Sequence, residues 1–101
     1  MNTANKTAIS VVEQYIERLA SMPVHHWRSS EFAQKCYSIM AANDILELLK
    51  SHEDEPPLGV IEEYRDKMDE YSCINSIGSF IFSVGHDTAE DIVNELIKAY
   101  G

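Results

Sequence analysis

The sequence predicts a mainly α protein, a single-domain bundle of about four helices with one possible short strand over residues 79–84. The chain has 101 residues, of which 45% are hydrophobic and 25% are charged, and apolar residues recur every three or four positions along most of it. This length and composition are typical of one compact domain with one core. They argue against a disordered or collagen-like chain.

The first helix is predicted from Thr7 to about Met22. Its apolar residues follow one helical face: Ile9, Val12, Ile16 and Leu19. Pro23 should end this helix, because a proline disfavours the helical conformation of the residue before it. A loop follows over residues 23–28, and one of the serines at 29–30 can cap the next helix.

The second helix is predicted as one element of about 20 residues at the centre of the bundle. A first apolar stripe keeps its phase throughout: Phe32, Cys36, Ile39, Ala42, Leu46 and Leu49. A second stripe beside it predicts packing on more than one side: Tyr37, Ala41, Ile45 and Leu48. The alternative is a break at Asn43, because Asp44 and Glu47 have the spacing of a capping box that could start a new helix.

The third helix is predicted to begin at Pro57, since a proline is tolerated in a first helical turn where its missing N–H is not needed. Pro57 also closes the predicted polar loop over residues 51–57. Four apolar residues repeat at helical spacing: Ile61, Tyr64, Met68 and Tyr71. The helix should end between Ser72 and Asn75.

Residues 79–84 are the ambiguous segment, because they are rich in β-formers and lie between Gly78 and Gly85. We favour a short strand there, with Phe80, Phe82 and Val84 on one face. The alternative is a helical phase through four residues: Ile77, Phe80, Ile81 and Val84.

The last helix is expected to start near Asp87, which forms capping-box spacing with Glu90. Lys98 would favour its negative end. Its apolar face would be supplied by five residues: Ile92, Val93, Leu96, Ala99 and Tyr100.

The net charge of −9 comes from 17 acidic and eight basic residues. Residues 1–43 carry +1 and residues 44–101 carry −10. Such a surface repels phosphate groups and anionic lipids, so we expect neither direct nucleic-acid binding nor membrane binding. No apolar run approaches the ~20 residues that span a bilayer, and no signal-type segment follows Met1, so the expected location is the cytoplasm.

Few residues suggest chemistry. Cys36 and Cys73 lack CxxC spacing, and Cys36 lies on an apolar stripe, where a small core residue is a more natural interpretation than a nucleophile. The four histidines show no zinc-ligand spacing. We therefore expect no cofactor, no metal and no enzymatic activity; a small enzyme or metal protein using these cysteines and histidines is the remaining alternative.

Two segments are candidates for binding a protein partner. The cluster His25, His26, Trp27 and Arg28 combines residue types that often dominate interfaces, although Trp27 could instead cover one end of the bundle. The acidic residues Glu62, Glu63 and Asp66 share one helix face and could meet a basic partner, or could serve only solubility.

The functional hypothesis is a small acidic helical protein that acts through protein contacts, as a homodimer or as an adaptor. The alternative is an acidic neutraliser, similar in principle to an immunity protein, an antitoxin or a nucleic-acid mimic, that blocks a basic surface. A lone strand over residues 79–84 would leave backbone groups without partners, which predicts a homodimer through four residues: Phe80, Ile81, Phe82 and Val84. If that segment is helical or pairs with the loop at 23–28, a monomer is expected.

Overall fold

A computed structural model describes residues 3–23, 30–74 and 79–100, and these residues form four α-helices. They are α1 (Thr3–Ser21), α2 (Ser30–Ser51), α3 (Pro57–Ile74) and α4 (Ser79–Tyr100). No strand occurs within the described ranges. The prediction of a mainly α bundle of four helices is therefore confirmed.

The first helix ends before Pro23, as predicted, but begins at Thr3, four residues earlier than the apolar pattern indicated. Its last carbonyl groups have no partner within the helix and need donors from elsewhere. The Lys35 ammonium on α2 donates to the carbonyl oxygens of Ala20 (3.3 Å) and Met22 (2.7 Å). A cation at this position also suits the negative end of the helix dipole, so Lys35 fixes the start of α2 against the end of α1.

The second helix is continuous, and the alternative break at Asn43 is wrong. Asn43 and Asp44 lie on its exposed surface, where polar side chains are compatible with an unbroken helix. Helix α2 contacts α1, α3 and α4, but each of the four helices contacts the other three, so this does not single out α2 as the central one. Its buried residues come from both predicted stripes and their border: Ser38, Ala41, Ala42, Ile45 and Leu49.

The third helix starts at Pro57, as predicted, and its first turn is closed by the Val60 N–H, which donates to the Pro56 carbonyl at 3.2 Å. The short connection from α2 turns through a 3.1 Å bond from the Glu55 N–H to the His52 carbonyl. The helix ends at Ile74, within the predicted interval.

The predicted strand over residues 79–84 is wrong, because this segment forms the first turns of α4. Asp87 consequently lies inside the helix and does not cap its start. The buried residues of α4 follow one helical stripe: Val84, Gly85, Thr88, Ala89, Ile92, Val93 and Leu96. A helix satisfies its own backbone groups without a partner strand, and the apolar stripe extends the helical phase back through residues 79–84.

Helices α3 and α4 form an antiparallel hairpin. Gly85 faces Met68, and Phe82 packs on Tyr71, so the residue numbers on α4 fall as those on α3 rise. Gly85 has no positive φ, so its role here is spatial. A Cβ at this position would lie 3.1 Å from Met68 Cγ, and the absence of a side chain allows the two helices to approach closely.

The core lies between the first halves of α1 and α3 and the second halves of α2 and α4. Eleven buried residues form it: Ala8, Val12, Ala42, Ile45, Leu49, Val60, Ile61, Ala89, Ile92, Val93 and Leu96. Phe80 and Tyr71 lie at the other end of the α3–α4 hairpin. None of the described helices is long and apolar enough to cross a membrane.

Candidate protein-binding surface

Three large side chains are exposed where α3 ends and α4 begins. Tyr71 is 47% exposed, Phe80 is 48% exposed and Ile81 is 45% exposed. We call these three residues the hairpin-tip patch. Phe80 lies one turn before the buried Val84 and Ile81 lies one turn before the buried Gly85, so the patch continues the buried stripe of α4 beyond the core.

Two aromatic contacts join this end of α4 to α2 and to α3, on different sides of α4. The rings of Phe80 and Tyr37 meet edge to face, with centroids 5.9 Å apart and planes at 75°. The rings of Tyr71 and Phe82 lie 5.4 Å apart at a tilt of 45°.

The four residues predicted for a dimer interface do not share one surface. Phe80 and Ile81 are exposed, Phe82 is half-buried beside Tyr71, and Val84 is only 5% exposed. Sequence reasoning missed Tyr71, because its helical spacing placed it with the apolar face of α3. Tyr71 lies in the last turn of α3, where neighbouring helices need not bury the apolar face, and this position was the available signal.

The three candidate acidic residues lie together on the exposed surface of α3, before Tyr71 in the chain. Two of them have neighbouring cations. Lys67 Nζ lies 3.5 Å from Glu63 Oε1, and Arg65 Nε lies 3.4 Å from Asp66 Oδ1. Glu62 is on the same exposed side. Exposed pairs of this kind contribute little to stability, but the two cations offset two of the three carboxylate charges.

The fold separates the charge of the chain into two parts. Residues 1–51, which contain α1 and α2, hold five acidic and five basic residues. Residues 52–101 hold the remaining 12 acidic and three basic residues, so the connection after α2 and the α3–α4 hairpin carry the whole net charge of −9. The hairpin is thus the acidic part of the chain, but three of these acids, at 53–55, precede α3 and lie at the opposite end of the hairpin from the patch.

Two exposed carboxylates border the patch. Glu70 precedes Tyr71 on α3, and Asp87 follows Phe80 by seven residues on α4, which places it on the same helix face. The Asp87 side chain is 73% exposed, and its Oδ1 lies 3.4 Å from His86 Nδ1. Lys98 is the only lysine or arginine of α4 and lies near the opposite end of that helix.

Two half-buried tyrosines, Tyr15 and Tyr64, pack against the core away from the patch. The Tyr15 hydroxyl of α1 donates to Asp91 Oδ2 of α4 at 3.3 Å. Burial raises the pKa of Tyr15 to about 12, and the charge of Asp91 adds to the effect. Burial also raises the pKa of Tyr64 to about 12, with a further contribution from the charge of Asp44. Both hydroxyls therefore remain protonated at neutral pH.

Asp44 is the carboxylate whose charge acts on Tyr64. Partial burial raises the pKa of its carboxyl group, and the nearby charge of Glu47 raises it further. The ionised form of Asp44 is thus less favourable in the folded protein than in water.

Within the described part of the chain, Cys36, His52 and His86 lie on three different elements. Cys36 is half-buried on α2 rather than fully enclosed. His52 Nδ1 lies 3.6 Å from Glu55 Oε2 in the connection before α3. Among the described residues, no three histidine, cysteine or acidic side chains are grouped as a metal site would need. The cluster His25, His26, Trp27 and Arg28 lies outside the described residues.

Comparison with known proteins finds no matching family model, no similar curated protein and no similar solved structure.

Proposed function

We propose that this protein acts through protein–protein contacts made by the hairpin-tip patch, either with a second copy or as an adaptor for another chain, and not as an enzyme. The observation that carries the proposal is the exposure of Tyr71, Phe80 and Ile81 at one end of the hairpin. Single exposed apolar residues are common on soluble proteins, whereas grouped ones often mark interaction sites. Aromatic side chains are also enriched at protein interfaces.

The test uses a matched pair of isoleucines on α4. Ile81 is 45% exposed within the patch, and Ile97 is 54% exposed near the far end of the same helix. Ile81→Ser and Ile97→Ser remove equivalent apolar surface, so they should affect stability similarly. Only Ile81→Ser should weaken association.

Self-association is measured by sedimentation at micromolar concentration. A mass near twice 11.5 kDa that falls to 11.5 kDa in Ile81→Ser, but not in Ile97→Ser, supports pairing through the patch. For the adaptor form, a photo-crosslinker at residue 83 should capture one distinct partner in native-host extract. That capture should be lost in Ile81→Ser. Equal behaviour of the two serine variants in both assays would contradict the proposal.

A second candidate is an acidic neutraliser that blocks a basic surface of another protein. The separation of charge favours it, because the whole −9 lies in residues 52–101. Reversing Glu62, Glu63 and Asp66 to lysine should weaken binding to a basic partner captured by crosslinking, and the loss should be larger at low salt where screening is weak. Unchanged affinity would leave these carboxylates as surface charges that only favour solubility.

A further inference from the structure

We propose that a cleft between the end of α1, the start of α2 and the middle of α4 binds a small organic cation, a primary ammonium group carried on a short apolar chain. The Asp91 carboxylate would bind the ammonium group, and Leu19 and Met22 would contact the chain. None of the residues that line this cleft belongs to the hairpin-tip patch, so the inference adds a ligand site to the proposed function and does not depend on it.

The cleft has the size of a small-molecule site. Its volume is about 490 Å³, within the range of roughly 300–1,000 Å³ that is typical of ligand pockets. Leu19 and Met22 give it an apolar part, and side chains of α1, α2 and α4 add polar groups. Such sites commonly lie between the helices of a bundle, where a few polar groups fix the orientation of a largely apolar ligand.

A nearly buried hydroxyl group lines the cleft. Ser38 is 9% exposed and lies on the buried side of α2. The hydroxyls of Ser21 and Ser51 each donate to the carbonyl four residues earlier in their helices, both at 2.9 Å. The Ser38 hydroxyl makes no such bond, and the described residues offer it no other partner. It is therefore available to hydrogen-bond a ligand in the cleft.

Asp91 supplies the negative charge on the α4 side of the cleft. Its Oδ2 accepts a hydrogen bond from the Tyr15 hydroxyl at 3.3 Å. Within the described residues no lysine or arginine forms an ion pair with Asp91, and Arg18 of α1 instead lies 3.8 Å from Glu95. A neutral hydroxyl donor leaves the charge of the Asp91 carboxylate available to an ammonium group.

The one lysine among the described lining residues does not reverse this preference. The Lys35 ammonium donates to the carbonyls of Ala20 and Met22, which uses two of its three N–H groups. Glu31 is a second carboxylate of the lining, and it too forms no ion pair within the described residues. The described lining thus holds two carboxylates and one ammonium group that is already bonded to α1, so it favours a cation over an anion.

The probe is hexylammonium, titrated into the isotope-labelled full chain at neutral pH and followed by NMR. Saturable shifts should centre on the amide groups near Ser38 and Asp91, with a dissociation constant in the millimolar range. Three analogues separate the contributions to binding: hexanol lacks the charge, hexanoate reverses it, and methylammonium lacks the chain. Each should bind at least roughly fivefold more weakly than hexylammonium.

A matched pair of variants on α4 tests the role of the carboxylate. Asp91→Asn removes a charge from the cleft, whereas Glu90→Gln removes the same charge from the neighbouring exposed position, which does not line it. Asp91→Asn should weaken hexylammonium binding roughly fivefold, because an exposed ion pair is worth about 1 kcal/mol or less. Glu90→Gln should leave binding nearly unchanged.

The Ser38 hydroxyl is tested by a change that separates binding from stability. Ser38→Ala should leave the free energy of unfolding equal or higher, because alanine favours the helix and the hydroxyl has no partner among the described residues. The same change should weaken hexylammonium binding roughly threefold or more. Ser51→Ala, at the exposed end of α2, is the control and should not change binding.

Four results would overturn the inference: no saturable binding, equal binding of hexanol or hexanoate, equal binding of methylammonium, or equal losses in Asp91→Asn and Glu90→Gln. Equal binding of methylammonium would mean attraction to surface charge alone, and stronger binding of hexanoate would assign the cleft to an anion held by Lys35. The association assays on Ile81→Ser are independent of these titrations, so either proposal can fail while the other stands.

Discussion

Two glycines show how one residue type serves different purposes in neighbouring helices. Gly59 lies in the first turn of α3, where an added Cβ would meet no atom within 4 Å. At Gly85 the same Cβ would lie 3.1 Å from Met68 Cγ and 3.2 Å from Met68 Sδ. Gly59 therefore contributes mainly backbone freedom, whereas Gly85 provides room for the close approach of α3 and α4.

This difference predicts opposite responses to substitution. Gly59→Ala should raise the free energy of unfolding by roughly 0.5–1 kcal/mol, because alanine restricts the unfolded chain and favours the helix. Gly85→Ala should gain less than Gly59→Ala, since Met68 must shift to admit the methyl group. Gly85→Leu should lose about 1–3 kcal/mol through overpacking. Urea denaturation measures all three, and a gain at Gly85 equal to that at Gly59 would contradict the close approach.

At the scale of the helix, the length of a periodic pattern decided how well it could be predicted. The apolar stripes of α1, α2 and α3 each extend over several turns, so their helical phase was readable from the sequence. Residues 79–84 cover less than two turns and satisfy both a strand and a helix pattern. The contacts that distinguish them, Phe80 with Tyr37 and Phe82 with Tyr71, join distant parts of the chain and leave no local signal.

The same limit applies to the candidate site. The sequence points to Phe80 and Ile81 as interface residues through a strand over residues 79–84, which the structure does not contain. Their exposure could not be derived, because Val84, four residues after Phe80, is almost fully buried. The lengths and contacts of all the surrounding helices determine where along a helix its apolar residues stop being buried.

A matched pair of leucines tests the phase of α2. Leu49 is 0% exposed in the core, whereas Leu46 is partly buried and packs against the core from one side. Leu49→Ala should lower the free energy of unfolding by about 2–5 kcal/mol through lost burial and a residual cavity. Leu46→Ala should lower it by a smaller amount. Chemical denaturation of the two variants checks the order, and a larger loss at Leu46 would mean that the helix is rotated from the observed phase.

For the whole molecule, the two buried tyrosines predict sensitivity to alkali. The pKa values of Tyr15 and Tyr64 are about 12 in the folded protein, above the usual value of 10.0. The unfolded chain therefore loses these protons first, and stability present below pH 10 should decline as the pH rises towards 12. Tyr15→Phe and Tyr64→Phe should each flatten this decline. Urea denaturation at a series of alkaline pH values measures the slope, and an unchanged slope in both variants would contradict the assignment.

The helical structure of residues 79–84 also removes the physical reason for which a homodimer was predicted. A strand would have required a partner for its backbone, whereas α4 bonds its own N–H and C=O groups. Any pairing of two copies must then depend on side-chain burial alone, against the repulsion of their acidic hairpins. The helical segment meets the condition under which the sequence predicts a monomer, so a homodimer would now depend on the exposed side chains alone.

The unequal distribution of charge between residues 1–51 and residues 52–101 gives the protein a permanent electric dipole moment in addition to its net charge. In the field of a positively charged surface, a dipole experiences a torque as well as an attraction. The molecule should therefore rotate during approach so that the α3–α4 hairpin arrives first. Its collisions with cationic surfaces are then not random in orientation, and adding salt should reduce this alignment together with the association rate.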